Sequence, residues 1–280
     1  MTTLGMERVL AGSVNPVLSV TLADQYGDAA DAAGAVTCSL SRADGSSIAT
    51  GRATANPAGT GTYTVALTTA EALTLDVIRA VWLDGATARA TTYHRVVGGF
   101  MFTTAELTAL GGLNGYSTVE LRTARDQITD LFELHTGAAW CPTYDLEEFT
   151  GNGTPYHTGD YRPLRSVRSC TIDGDAEPLT DFELDRASGI VYAGTAFYGV
   201  CTLGLDHGFD APTADLRDAA LLAAKDRLLR RRSALSDRAR SVTDDMGTRT
   251  FAYAGAGHPT GIDEVDAVLA AHDYRVPGIG

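Results

Sequence analysis

From Pro16 to Val97 apolar and polar residues alternate in short runs, "PVLSVTLADQYGD", "AVTCSLSRADGSS", "GTYTVALT", "DVIRAVWLDGAT" and "RATTYHRVV", each ended by turn residues. A period of two at this spacing, with Asp-Gly at 44–45 and again at 84–85, predicts antiparallel hairpins in a small β-sandwich over residues 1–98.

After "VVGGFMF" the period becomes helical. Thr103 with Glu106, and Ser117 with Glu120, have capping-box spacing, which predicts helices over about 103–110 and 118–136. The longer one places Leu121, Ala124, Ile128, Leu131 and Phe132 on one face and stops at Gly137. Strand signals return over about 163–208, with Asp173-Gly174 and Ser188-Gly189 as hairpin turns. Pro212 and Thr213 then open a helix expected over 213–242, roughly 45 Å long at 1.5 Å per residue. A last helix is expected over 261–274, inside a C-terminal arm of about 260–280. The expected fold class is α+β and multidomain: the sandwich, then a mainly α-helical domain over 99–280 carrying a small inserted antiparallel sheet.

Composition adds a charge problem. The net charge is −13, yet Leu216–Val242 holds eight of the 22 cations against three acids, so the remainder carries −18. Lys225 is the one lysine, a bias that reads as GC-rich coding. No apolar run reaches the roughly 18 residues of a membrane span, and "MTTLGMERVLAG" lacks the charged start and apolar core of a secretory signal, so synthesis in the cytoplasm is expected. Cys38, Cys141, Cys170 and Cys201 are far apart with no CxxC pair, which points to buried thiols and away from structural zinc.

On a helical wheel Leu221, Leu228 and Leu235 fall within about 40° of one another, with Leu222 and Leu229 beside them, while Arg227 and Arg230 point to the opposite side. An amphipathic helix with a solvated outer face explains this periodicity by itself. Nucleic-acid binding fits poorly, because the helix has no aromatic residue and the acidic chain repels phosphate. A protein partner or a second copy with an acidic face fits better, since arginine forks pair with carboxylates bidentately.

Other chemistry is weak by pattern. Cys141, His157 and Asp160 could form a thiol, base and orienter, but Cys141 precedes a proline in a loop-like segment. His207 in "LDHGFDAP" reads as a packing or turn residue. Asp173 and Asp175 lack the downstream spacing of a calcium loop. "GAGHPTG" at 255–261 lacks the P-loop lysine and reads as a hinge. "NGT" at 152–154 is a glycosylation sequon by pattern only. Trp82 and Tyr93 are the sandwich aromatics that a carbohydrate site would use, although Trp82 sits in a strand whose one face is core. No catalytic residue, cofactor or metal is expected, and the chain is read as a non-enzyme.

Two resemblances add to these readings. "GTGTYTVALT" is similar to the Gly-x-Tyr strand entry of bacterial immunoglobulin-like modules, where a tyrosine covers the end of the sandwich. From Gly99 onward, "FTTAELTALGGLNGYSTVELRTARDQITDLFELHTGAAWCP", "PLRSVRSCTIDGDAEPLTDFELDRASGIVYAG", "YGVCTLGLDHGFDAPTADLRDAALLAAKDRLLRRRSA" and "TGIDEVDAVLAAHDYRVPGIG" together resemble the head-to-tail connector, or adaptor, proteins of long-tailed bacteriophages. The resemblance covers about 180 residues and rests on several weak motifs in order; the sandwich lies outside that family's minimal core. It implies a structural virion protein at the neck, assembled in the bacterial cytoplasm, forming a dodecameric ring between the portal and a downstream stopper protein. Genome DNA would pass through without sequence-specific binding, and no membrane would be involved. Interface candidates are Arg227, Arg230, Arg231 and Arg232 on the cationic helix, with Tyr274 and Arg275 in the arm. The alternatives are a carbohydrate- or protein-binding module carried by the sandwich, and a tail-completion or decoration protein.

Overall fold

A computed structural model describes residues 6–232, 241–244, 247–250 and 258–275. The first unit contains β1 (Glu7–Leu10), β2 (Val17–Thr21), β3 (Val36–Ser41), β4 (Ser47–Ala53), β5 (Thr62–Ala66), β6 (Asp76–Asp84) and β7 (Thr87–Val97). They form a five-stranded sheet in the order β1-β7-β6-β3-β4 and a two-stranded sheet of β2 and β5. Alternate residues of β2, β3, β5 and β6 point inward, so Leu18, Cys38, Leu40, Tyr63, Ile78 and Trp82 share one core. Tyr63 also turns its hydroxyl to accept a hydrogen bond from the Ala32 N–H at 2.7 Å, tying the segment before β3 to β5. β1 pairs in parallel with β7, from Glu7 opposite His94 to Leu10 opposite Val97.

Then come α1 (Thr104–Ala109) and α2 (Thr118–Thr136), each opened by a formed capping box, Thr103 with Glu106 and Ser117 with Glu120. Gly137 takes the left-handed conformation at φ 66° and ends α2. A larger β region follows: β8 (Thr143–Asn152), β9 (Tyr156–Thr158), β10 (Leu164–Ile172), β11 (Asp175–Ala176), β12 (Phe182–Asp185), β13 (Ile190–Ala193) and β14 (Tyr198–His207). One sheet runs β11-β10-β14-β8 and a second runs β12-β13-β9. The chain continues through α3 (Ala214–Arg232), β15 (Ser241–Asp244), β16 (Gly247–Thr250) and α4 (Asp263–Ala271). The four helices share a core that includes Leu107, Ile128, Phe132, Leu216, Leu228 and Val265.

The expectation of a mainly α-helical domain after the sandwich is overturned: strands make up 39% of the protein and helices 23%. The β region is no small insert. It begins with β8 at Thr143, twenty residues ahead of the expected start at 163, and β8 pairs along its full length with β14. The physical reason is that β8 carries Asp145 and Glu147 at half-buried positions where they pair with Arg95 and His157, so its alternation is invisible to a hydrophobic pattern. Nor does the third helix reach 242. Among the described residues α3 ends at Arg232, and Ser241–Asp244 is a strand paired with Gly247–Thr250.

Candidate interaction surfaces

The sandwich is clasped to the rest of the chain through its edge strand. Arg8 of β1 is buried, and its backbone N–H donates to Asp126 Oδ2 at 3.1 Å while Arg125 Nη2 donates to the Arg8 carbonyl at 3.4 Å. Arg125 and Asp126 are themselves paired at 2.8 Å, so two neighbouring α2 side chains satisfy the outward edge of β1 as another strand would. The Arg8 guanidinium then reaches Asp130 at 2.8 Å and Glu133 at 2.6 Å, one turn apart on α2. Burial works to discharge Arg8, but Glu133, Asp130 and Asp126 outweigh it and raise its pKa. Asp126 goes the other way: burial raises its pKa, with Arg125 and Arg8 offsetting only part.

Two further bonds complete the clasp. Arg95 of β7 pairs with Asp145 of β8 at 2.8 Å, and Arg168 of β10 donates to the Leu75 carbonyl at 2.7 Å. Burial pushes the Asp145 pKa up, yet Arg95 and His207 more than compensate and hold it below the ordinary value. His207 is buried, stacked on Tyr161 with ring centroids 5.3 Å apart and with Nε2 3.2 Å from Asp145, so it packs the junction.

The cationic end of α3 is partly used within the chain. Arg232 lies over the Tyr116 ring at 3.7 Å and donates to the Gly115 carbonyl and to Glu120. Lys225 donates to the Leu110 carbonyl at 3.0 Å. Arg230 makes an exposed pair with Asp226 one turn back, and Arg231 reaches Gln127 at 3.5 Å. Arg227 has no carboxylate partner among the described residues; desolvation and Arg231 in the next turn lower its pKa. Leu222 and Leu229 are exposed on the same helix, outside the core that Leu221 and Leu228 enter.

Tyr274 and Arg275 sit far from that end, against α2 and the start of α3. The Tyr274 N–H donates to the Thr136 carbonyl at 2.7 Å, its own carbonyl accepts from Arg162, and its ring meets Trp140 and Phe209. Arg275 pairs with Asp273, and His272 pairs with Asp215 at 2.8 Å. Thr213 and His272 hold the Asp215 carboxyl at about 2. The arm expected over 260–280 thus lies folded against the body as far as Arg275, and 276–280 lie outside the described residues. The stretch 255–257 of "GAGHPTG" lies outside them too, while Thr260 donates to Asp266 Oδ1 at 2.6 Å ahead of α4.

The possible thiol site is not assembled. Cys141 is buried beside Arg8 and Glu133, and burial pushes its thiol up to about 12. His157 instead stacks on Phe149 at 3.7 Å and bonds Glu147 at 2.8 Å; the Asp160 N–H donates to that same Glu147. Asp173 and Asp175 frame the β10–β11 turn, where Asp173 accepts from the Val200 N–H. Asn152 of the sequon accepts from the Thr154 N–H in a local turn. Trp82 is fully buried and donates to Thr92, leaving Tyr93 as the exposed one of the two sandwich aromatics. Among the described residues no group of three or more His, Cys, Asp or Glu is placed to hold a metal ion, and no helix is long and apolar enough to cross a membrane.

Sequence reading missed a row of residues on the second C-terminal sheet. Glu183 of β12 lies opposite Tyr192 of β13, which lies opposite Tyr156 of β9, all on the outward face. The two tyrosines are 41% and 49% exposed, with ring centroids 6.5 Å apart. The alternation in "GIVYAG" carried the signal, since Tyr192 must face away from buried Val191.

No family model matches the chain, and no curated protein matches it.

Proposed function

We propose that the chain is a structural assembly protein, a head-to-tail connector of a long-tailed bacteriophage whose copies form a ring between the portal and the tail and line the DNA channel. The observation that carries the reading is the arginine-rich end of α3 on a chain of net charge −13, with Arg227 unmatched by any carboxylate among the described residues. Such a surface suits an acidic protein face, and the chain's own excess of carboxylates can supply it. Carboxylates around a channel also weaken adhesion to DNA phosphates and let a duplex slide. The partners are further copies, the portal and a stopper protein, and the reading assigns no reaction, cofactor or metal.

The clasp adds a role for the sandwich. Held through Arg8, Arg95 and Arg168, it travels with the helices as one part of the wall and does not swing on a linker. The test is deletion of the gene from its source genome, with induced lysates viewed by negative-stain electron microscopy. DNA-filled or leaking heads separate from complete free tails are expected; intact tailed particles would overturn the reading.

A further inference from the structure

All three cation–π contacts among the described residues share one construction, an arginine held between an aromatic face and a carboxylate. Arg125 lies 3.6 Å over Phe100 and pairs with Asp126. Arg168 lies 4.7 Å over Tyr144 and pairs with Asp206. Arg232 lies 3.7 Å over Tyr116 and pairs with Glu120. The ring face attracts the guanidinium through its quadrupole while the carboxylate takes the N–H edge, so the two contacts use different parts of one planar group.

The row Glu183–Tyr192–Tyr156 has the aromatic faces and the carboxylate of this construction without the arginine. The Glu183 carboxylate has no hydrogen bond or ion pair among the described residues, and neighbouring strands set the members of the row about 4.8 Å apart. We infer that the row is a docking surface for an arginine of a second copy of this chain, supplied by the last two turns of α3. Charge complementarity selects that occupant. Arg227 and Arg230 stand within one turn on an exposed stretch beside Leu229, where the carboxylate paired among the described residues is Asp226, in a solvated pair with Arg230 that competes weakly. Among the described residues the other arginines without a carboxylate partner are more scattered: Arg79 and Arg89 lie on the sandwich, Arg122 on α2 and Arg186 in the turn between β12 and β13, Arg162 donates to the Tyr274 carbonyl, and Arg231 belongs to the same α3 cluster.

The donor surface is a helix end and the acceptor a sheet face, so the contact is heterologous: each copy gives one surface and receives the other, which generates a closed ring or an open filament. This inference rests on the self-assembly in the proposed function and names the surfaces that meet.

The test mixes two variants of the full chain with cysteines placed beside the two surfaces, Thr158→Cys on β9 and Leu229→Cys on α3, at high concentration under mild oxidation, with Thr158→Cys plus Arg89→Cys as the control pair. The four native thiols are buried and do not compete. The expected result is a disulfide-linked heterodimer from the first mixture alone. Glu183→Arg, placed in the Thr158→Cys chain, should abolish the cross-link, and Arg227→Glu with Arg230→Glu in the other chain should recover it. Self-association seen by sedimentation without that cross-link would overturn these surfaces and leave the connector reading standing. Mixtures that remain monomeric would overturn the pairing as well, while the connector reading is judged separately on particle morphology.

Discussion

Replacing Arg8 by methionine tests whether the clasp is a true buried ion pair. The Arg8 side chain is 4% exposed, Glu133 6% and Asp130 13%. Methionine keeps an apolar stem of similar reach, so little packing is lost and the main effect is to strip the counter-charge from Glu133. Breaking a buried pair on one side costs about 3–5 kcal/mol, a large part of the ~5–15 kcal/mol that holds a typical domain. Urea unfolding followed by far-UV circular dichroism, with the slope held common, should give a loss in that range. Adding Glu133→Gln should recover much of it, because a neutral amide needs no counter-ion; the two sites share a network and must be non-additive. A loss below ~1 kcal/mol for Arg8→Met, the level of a solvated surface pair, would refute the reasoning.

Cys141, with its thiol pushed up to about 12, should resist a thiol-specific reagent at pH 8 until the protein unfolds; rapid labelling in native buffer would show the site to be open. Glu71 is held at about 2, first by its hydrogen bonds to Arg52, against an ordinary 4.5. Its folded pKa is depressed, so its stabilising effect is complete above about pH 4.5 and is lost as pH falls toward 2. Arg52→Ala should move the Glu71 titration seen by NMR up toward 4.5, and an unmoved midpoint would disprove the attribution. Leu228→Ala, at a position 1% exposed beneath the arginine turn, should cost about 2–5 kcal/mol in thermal or urea unfolding; near-neutral behaviour would mean that α3 is not anchored there.

What could be read from the sequence was what short-range chemistry controls. Ser117 and Glu120, or Asp44 and Gly45, settle their helix start and turn within a few residues. β8 escaped because the residues that make it a strand, Asp145 and Glu147, look like surface acids until Arg95 and His157 are brought against them from other elements. Arg8 was equally opaque, since its partners lie 118 to 125 residues away. The Glu183–Tyr192–Tyr156 row depends on the register of three strands, and no local pattern encodes which residues meet. α3 was legible at its start, where Pro212 and Thr213 stand, and the expected end at 242 was misjudged, because arginine and alanine favour helix and no glycine or proline precedes the strand that begins at Ser241.

The pairing of β1 with β7 and α2 also orders events during synthesis. Arg8 leaves the ribosome 125 residues before Glu133, and at ~5–20 residues per second that interval is roughly 6–25 s. β7 can pair one edge of β1 once residues 87–97 have emerged, but throughout the interval the other edge stays unpaired and the guanidinium uncompensated. The sandwich is therefore not finished as its own residues emerge: the outer edge of its opening strand is satisfied only when α2 arrives, which couples completion of the first unit to the folding of the second.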